Sequence, residues 1–545
     1  MDRYLASGLG LALALAAHTG NAAESDLWGK DGERWSAASR LPDYAFAGYH
    51  RGEKPIPDYP VTANVKSFGA KGDGNTDDTQ AFKAAIAATA SGAILAPAGR
   101  YKITDFITLD KPGVVLRGAG PDSTILWFPK SLQEIHPSSS QTSTGDPTTA
   151  YSFDFGFLTL KGDLRSADLS PLSADARRGD SLVVVASAAG ISVGQEVRLQ
   201  MQEAADQSLK QYLYAGDAGD IAKGKKLETK FVAKVTRVQG NQVFLDRGLP
   251  FDARAAWKPK LQAFRPTVRE SGFERFRMEF PELPYPGHFK EQGFNGIEFI
   301  AVADCWVRDI RLHNADMGVL FVEDACFNTA SGVTHTAYAG RGTPAGHHAY
   351  QFKRAQDNLA TGFDLRVAYV HDLSVENASG NVYAAGKGVN LCFDHHEDTP
   401  FANLYVDLDA GSGTRVWESS GGASFGRHSA AWNTYWNIRA AKDFTGPPAG
   451  WGPSLVNVVA IRTAAATVKE PEGKWIEAIA PAEILPADIH LAQLAKRMRG
   501  VIAVRPRTKA EAFPRTWGWD LRAGTLRFGP VGVGSVPSFT ALGRR

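Results

Sequence analysis

The chain has 545 residues, a formal net charge of +2 and 22% charged residues. That length can bury a large core, and the near-neutral balance excludes a strongly basic nucleic-acid binder. Three cysteines are too few for a disulfide framework, 55 glycines suit a chain with many turns, and 12 tryptophans suit either sugar stacking or ordinary core packing.

The N-terminus reads as a secretory signal over residues 1–23. Met1-Asp2-Arg3 starts it, Leu9 to Ala17 is apolar, and Asn21-Ala22-Ala23 offers a cleavage site. The apolar run is too short to span a bilayer, and no later segment supplies about 20 apolar residues. The mature protein is therefore expected to be exported, periplasmic or extracellular, with no membrane and no nucleic acid among its partners. Residues 24–60 are polar and proline-rich and are expected to form an N-terminal arm.

Residues 61–177 carry the most specific pattern. Phe68-Gly69-Ala70-Lys71-Gly72-Asp73-Gly74-Asn75-Thr76-Asp77-Asp78-Thr79-Gln80-Ala81-Phe82 runs a strand into a Gly/Asp turn and then a helix. Asp77 or Asp78 can cap that helix, and Phe82, Ala85, Ile86 and Thr89 follow at helical spacing. Short strands come next at 93–101, 106–109 and 114–120. This stretch resembles the opening of the pectate-lyase-like superfamily, which includes pectate lyases, polygalacturonases and some phage tailspikes. The matching pattern is F-G-A-x-G-D-G-x-x-D-D-T-x-A-F, here Phe68 to Phe82. The resemblance implies an all-β fold: a single-stranded right-handed parallel β-helix with an N-terminal capping helix. It also assigns Asp73, Asp77 and Asp78 to the cap, where an isolated reading would suggest a metal loop.

Residues 178–262 read as an inserted antiparallel β unit, with a hairpin around Gly240-Asn241 and a polar excursion from Gln207 to Lys225. The proline-punctuated loop Phe280 to Glu291 contains Tyr285, His288, Phe289 and Lys290, residue types that suit a glycan-binding groove edge.

Residues 263–480 are expected to form the main β-helix and its active face. Short apolar strands recur at Ile297, Val319, Tyr350, Val389 and Val416, at intervals of 22, 31, 39 and 27, those at Ile297, Val319 and Val389 led by glycine. Stacked coils bury such rows, placing equivalent strands about 4.8 Å apart. With Ile297, Phe299, Val319, Phe321, Tyr350, Phe352, Val389, Leu391, Phe393 and Val416 inward, the outward row is Glu298, Leu320, Gln351, Lys353, Asn390, Cys392, Asp394, Arg415 and Trp417. The alternative count places one more coil near Leu365 to Val375. Cys305, Cys326 and Cys392 fit buried thiols, with a Cys305–Cys326 bridge as the alternative. Residues 481–545 read as a helix over Ile489 to Arg499 and a tail.

Two clusters of titratable residues stand out, Gly346 to Arg354 and Phe393 to Asp398. Elimination from a uronate needs a cation for the carboxylate, a base for the C5 proton and an acid for the leaving oxygen. Arg415 and Lys353 fit the cation, His395 or His396 the base, and His348 or Tyr350 the acid. Hydrolysis needs instead two carboxyls about 5 to 9.5 Å apart, which Asp394, Glu397, Asp398, Glu418, Glu298 and Glu323 could supply. Glu298, Tyr350, Gln351 and Trp417 are the expected substrate contacts. No CxxC or HExxH spacing is present, so no metal site and no required cofactor are expected; calcium on Asp394, Glu397 and Asp398 is the alternative. No Arg-Ile-Lys or Gly-His-Gly set of the polygalacturonase kind is present. The reading is a secreted enzyme that degrades an acidic polysaccharide by β-elimination. A glycoside hydrolase on the same fold is its alternative, and a non-catalytic glycan-binding solenoid is third.

Overall fold

In the computed structural model, seven parallel strands stack into one long wall. They are β1 (Ile107–Leu109), β2 (Leu158–Lys161), β3 (Asn295–Ile300), β4 (Met317–Val322), β5 (His348–Lys353), β6 (His371–Glu376) and β7 (Phe393–His395), and each pairs with the next. The structure describes residues 22–221, 227–421, 425–452, 455–463 and 467–504, with two short strands beyond. The expected signal segment falls almost wholly outside the described residues, as does most of the expected tail.

The wall forms because its inward positions are apolar and share one register. Ile297, Val319, Tyr350, Leu373 and Phe393 stack in sequence. Phe299, Phe321 and Phe352 stack beside them, with ring centres 4.4 and 5.0 Å apart. Glycine leads β3 because a Cβ on Gly296 would come within 2.5 Å of the Gly318 carbonyl. The coil after Tyr350 is the one at Leu373, as the alternative count near Leu365 to Val375 has it, so the expected inward position of Val389 is corrected. Val389 is 49% exposed. Leu391 and Val416 are buried in the core as expected, but from loops outside this wall: the Leu391 amide donates to the Ala410 carbonyl and the Val416 carbonyl accepts the Phe393 amide. In sequence, Val370-His371-Asp372-Leu373 looks like Val307-Arg308-Asp309-Ile310. The latter strand belongs to a different wall, pairing with Gly272–Glu279.

The other walls are parallel ladders that fuse along the longer strands Gly272–Glu279, Trp306–His313 and Leu404–Asp409. An asparagine ladder runs along one turn. Asn328, Asn358, Asn381, Asn403 and Asn433 are all fully buried, and each side-chain amide donates to the next side-chain oxygen at 2.9–3.2 Å. Helix α1 (Thr79–Ala88) packs Phe82, Ala85 and Ile86 into the core of the first coils. Asp77 accepts the Thr79 amide at its start, while Asp78 accepts the Lys71 and Gly72 amides of the turn.

The inserted unit is a six-stranded antiparallel sheet spanning residues 168–263, so it begins ten residues before the expected boundary. Its core continues into Phe401, Ala402, Ala431 and Trp432 of the solenoid turns. The N-terminal arm lays Trp28, Leu41 and Tyr44 on Val382, Leu404, Val406 and Trp436. The three cysteines are free and buried. Two compact units are distinguished, residues 1–494 and 495–545; the second includes a small hairpin of Gly518–Asp520 and Thr525–Arg527. Among the described residues no helix is long and apolar enough to cross a membrane.

Candidate active site

The outward positions of β3 to β7 are Glu298, Leu320, Gln351, Ser374 and Asp394, in one paired row. One step further along lie Ile300, Val322, Lys353 and Glu376. The segment Tyr151 to Gly156 and the loop at Tyr285 to Glu291 cover part of this face. The Phe155 amide bonds to Glu298 Oε1 at 3.0 Å, and Asp154 lies 3.9 Å from Lys353. Lys353 is equally far from Glu376. Burial, reinforced by Asp154, pushes Glu298 up to about 7.

At the other end of the face five histidines meet. Ring centres of His347 and His348 are 4.2 Å apart, His348 and His371 4.8 Å, His371 and His396 5.2 Å, and His288 and His347 4.5 Å. Asp394 sits under them, fully buried. Its Oδ2 accepts from Ser374 Oγ at 2.7 Å and lies 3.0 Å from His396 Nδ1 and 3.4 Å from His371 Nδ1. Its Oδ1 accepts the Ser420 amide at 2.9 Å. Burial opposes its charge, but His371, His396 and Ser374 together hold it well below the ordinary carboxylate range. The same contact works on His396, where burial is outweighed by Asp394 and the ring is held above the ordinary histidine value. Burial drives His347 and His348 far down, aided by their imidazole neighbours, and takes His371 to about 3 against the pull of Asp394.

The structure thus brings together His348, Lys353, Asp394, His396, Glu298 and Gln351 on one face. Five expected site residues are corrected. His395 shares the inward register of Phe352 and Val375; its ring is buried and its Nε2 meets the Tyr435 hydroxyl at 2.7 Å. Tyr350 likewise points into the core, against His335 and Phe363, because the two-residue alternation places it with Phe352. Arg415 is held by the carbonyls of Tyr369 and Val370 at 2.7 and 2.9 Å and by Asp372 at 3.1 Å, so it braces a turn. Trp417 and Glu418 line another cleft, of about 790 Å³, with Asp443, Phe444 and Pro448. There the Trp417 indole donates to the Thr445 carbonyl.

The carboxylates considered for calcium have different partners. Asp394 serves the histidines, Asp398 lies 3.3 Å from buried Lys210, and Glu397 lies 3.6 Å from His428 and is pushed up to about 7, mainly by burial. Two participants were missed. His371 lies in the coil that only the alternative count near Leu365 to Val375 supplies, and His288 stands in the groove-edge loop with no pattern tying it to the strands. Their convergence becomes visible once the coil at Leu373 is counted.

Residues 62–214 match the family model described as Rhamnogalacturonase A/epimerase, pectate lyase-like. Alginate lyase 7 of Azotobacter vinelandii is 33% identical over 109 residues, which is 18% of this chain and 12% of that protein. Mannuronan C5-epimerase AlgE4 of the same organism is 36% identical over 114 residues, 18% of this chain and 19% of that protein. The chain therefore spans less than a fifth of these relatives. Among solved structures, the tailspike gp49 of Pseudomonas phage LKA1 is similar at TM-score 0.42 and 14% identity, over 69% of this chain and 63% of that one. The family match covers the first coils only; with the stacked parallel walls, the chain is a parallel β-helix whose opening, including the pattern at Phe68 to Phe82, is similar to the pectate-lyase-like family.

Proposed function

We propose that the chain is an exported polysaccharide lyase that cleaves an acidic, uronate-containing glycan by β-elimination. The observation that carries this reading is the make-up of the face. Imidazoles and an ammonium stand over it, while Asp394 beneath them has both oxygens engaged. A carboxyl so engaged orients its histidines and is poorly placed to serve as half of a hydrolytic pair.

In elimination a base takes the C5 proton, its electron pair forms the C4–C5 double bond, the C4–O bond breaks, and the leaving oxygen is protonated. Lys353 is placed to receive the uronate carboxylate, since its present contacts to Asp154 and Glu376 are loose at 3.9 Å. The roles expected of two histidines are exchanged: His348, kept neutral by burial, is the candidate base, and His396, held above the ordinary histidine value by Asp394, is the candidate acid. Their ring centres are 5.8 Å apart, and His396 is the more exposed of the two. The family match and the alginate-related relatives support a carbohydrate substrate.

Incubation with a panel of uronate polymers tests the reading. Ultraviolet absorbance of an unsaturated product is expected. Reducing ends without that absorbance mean a hydrolase, deuterium uptake at C5 without scission means an epimerase, and binding without any of these means an adhesin. Within the lyase reading, Lys353→Met should lower kcat/KM by about 100-fold or more with the fold intact by circular dichroism. Full activity of Lys353→Met would place the chemistry elsewhere.

A further inference from the structure

One group of side chains on this face is left unexplained by the acid–base reading. His288, His347 and His371 each offer a ligand atom, and these atoms lie within 4.8 Å of one another. They come from three places: His288 from the groove-edge loop, His347 from the entry to β5, and His371 from the start of β6. His347 is 2% exposed, yet neither of its ring nitrogens makes a hydrogen bond. Buried polar atoms are nearly always paired, and each one left unpaired is destabilising. Packing alone therefore does not account for an imidazole in this position.

We infer that His288, His347 and His371 form a binding site for a divalent transition-metal ion of the zinc class, with positions left for water or an anionic sugar group.

The donor set selects the ion. Imidazole nitrogens suit zinc and its neighbours, whereas calcium requires oxygens. Three histidines with further positions open is the pattern of a reactive zinc site, and a closed structural site would supply four protein ligands. Carboxylates stand behind two of the rings. Glu291 Oε1 lies 3.3 Å from His347 Nδ1, out of line for a hydrogen bond, and Asp394 Oδ2 lies 3.4 Å from His371 Nδ1. Such carboxylates orient ligating imidazoles toward an ion; His371 Nε2 now has Ser420 Oγ at 3.4 Å, a contact the ion would displace. Tetrahedral bonds of about 2.0–2.1 Å separate ligand atoms by roughly 3.4 Å, so atoms that lie within 4.8 Å of one another reach the ion by side-chain rotation, most simply at His288, the exposed one of the three. A second triad, His371, Asp394 and His396, lies alongside. Its carboxylate is already satisfied by Ser374, His396 and the Ser420 amide, so it has less need of an ion.

The test uses the full chain without an affinity tag, stripped with a chelator and titrated with Zn²⁺ alone by calorimetry. One equivalent is expected to bind, and Co²⁺ in its place should give the visible bands of an imidazole-ligated ion. His288→Ala lies on an exposed loop, so the fold should survive; it should weaken Zn²⁺ by at least about ten-fold. His347→Gln should weaken it further, and Lys353→Met should leave it unchanged. Absence of stoichiometric Zn²⁺ binding overturns the inference, as does binding that His288→Ala and His347→Gln leave untouched. Zinc binding without any cleavage of uronate polymers would support the site and remove only the lyase reading.

Discussion

Glu298 shows what a single residue on this face costs and what it supplies. It is 2% exposed and is held at about 7, first by burial and then by Asp154, against the opposing pull of Lys353 and the Phe155 amide. Its folded value is raised, so its contribution to stability is complete below about 4.5, the unfolded value, and is lost as pH rises through about 7. Glu298→Gln keeps an acceptor for the Phe155 amide and removes the titration. The variant should match the parent near pH 4 and exceed it near pH 8, by about 3 kcal/mol at most. Thermal melts across that range check this; parallel curves for the two proteins would mean that Glu298 ionises freely in the fold.

Among the elements, the asparagine ladder holds the coils in register along one turn. Asn381 sits in its middle. Its amide donates to Asn403, Ala355 and Ser379, and its oxygen accepts the backbone and side-chain amides of Asn358. Asn381→Ala leaves several buried groups unpaired at once and should cost about 2–4 kcal/mol, read as a lower midpoint in urea. Asn390→Ala, on an exposed loop contact to Thr414, should cost far less. The ladder also marks the limit of what could be read from the chain. Strands starting near Gly296 and Gly318 were legible because each glycine leads an apolar alternation, and close backbone approach requires it there. The asparagines were not, because their steps of 30, 23, 22 and 30 residues follow loop lengths that no local pattern encodes. The candidate site divides the same way. Lys353 and Asp394 follow from strand alternation, while His347 and His371 meet only because adjacent coils do. A search for local HExxH or CxxC spacing cannot find ligands supplied by three separate coils and loops.

At the scale of the whole molecule, the arm, the inserted sheet and the solenoid converge on Arg247. Its guanidinium forms a two-pronged ion pair with Asp357 of the solenoid, at 2.9 and 3.1 Å, and both side chains are nearly inaccessible. The same guanidinium lies over Phe46 of the arm and Phe231 of the insertion, at 4.6 and 4.5 Å. Two buried charges gain little over a well-packed apolar pair, but removing one strands the other. Asp357→Ala should therefore cost about 3–5 kcal/mol, while Arg247→Met with Asp357→Leu should lie near the parent. If the three parts fold as one, the single variant lowers the midpoint of a single denaturation transition. Early proteolytic release of the arm or the inserted sheet, with the solenoid transition unmoved, would show instead that Arg247 ties down separately folding pieces.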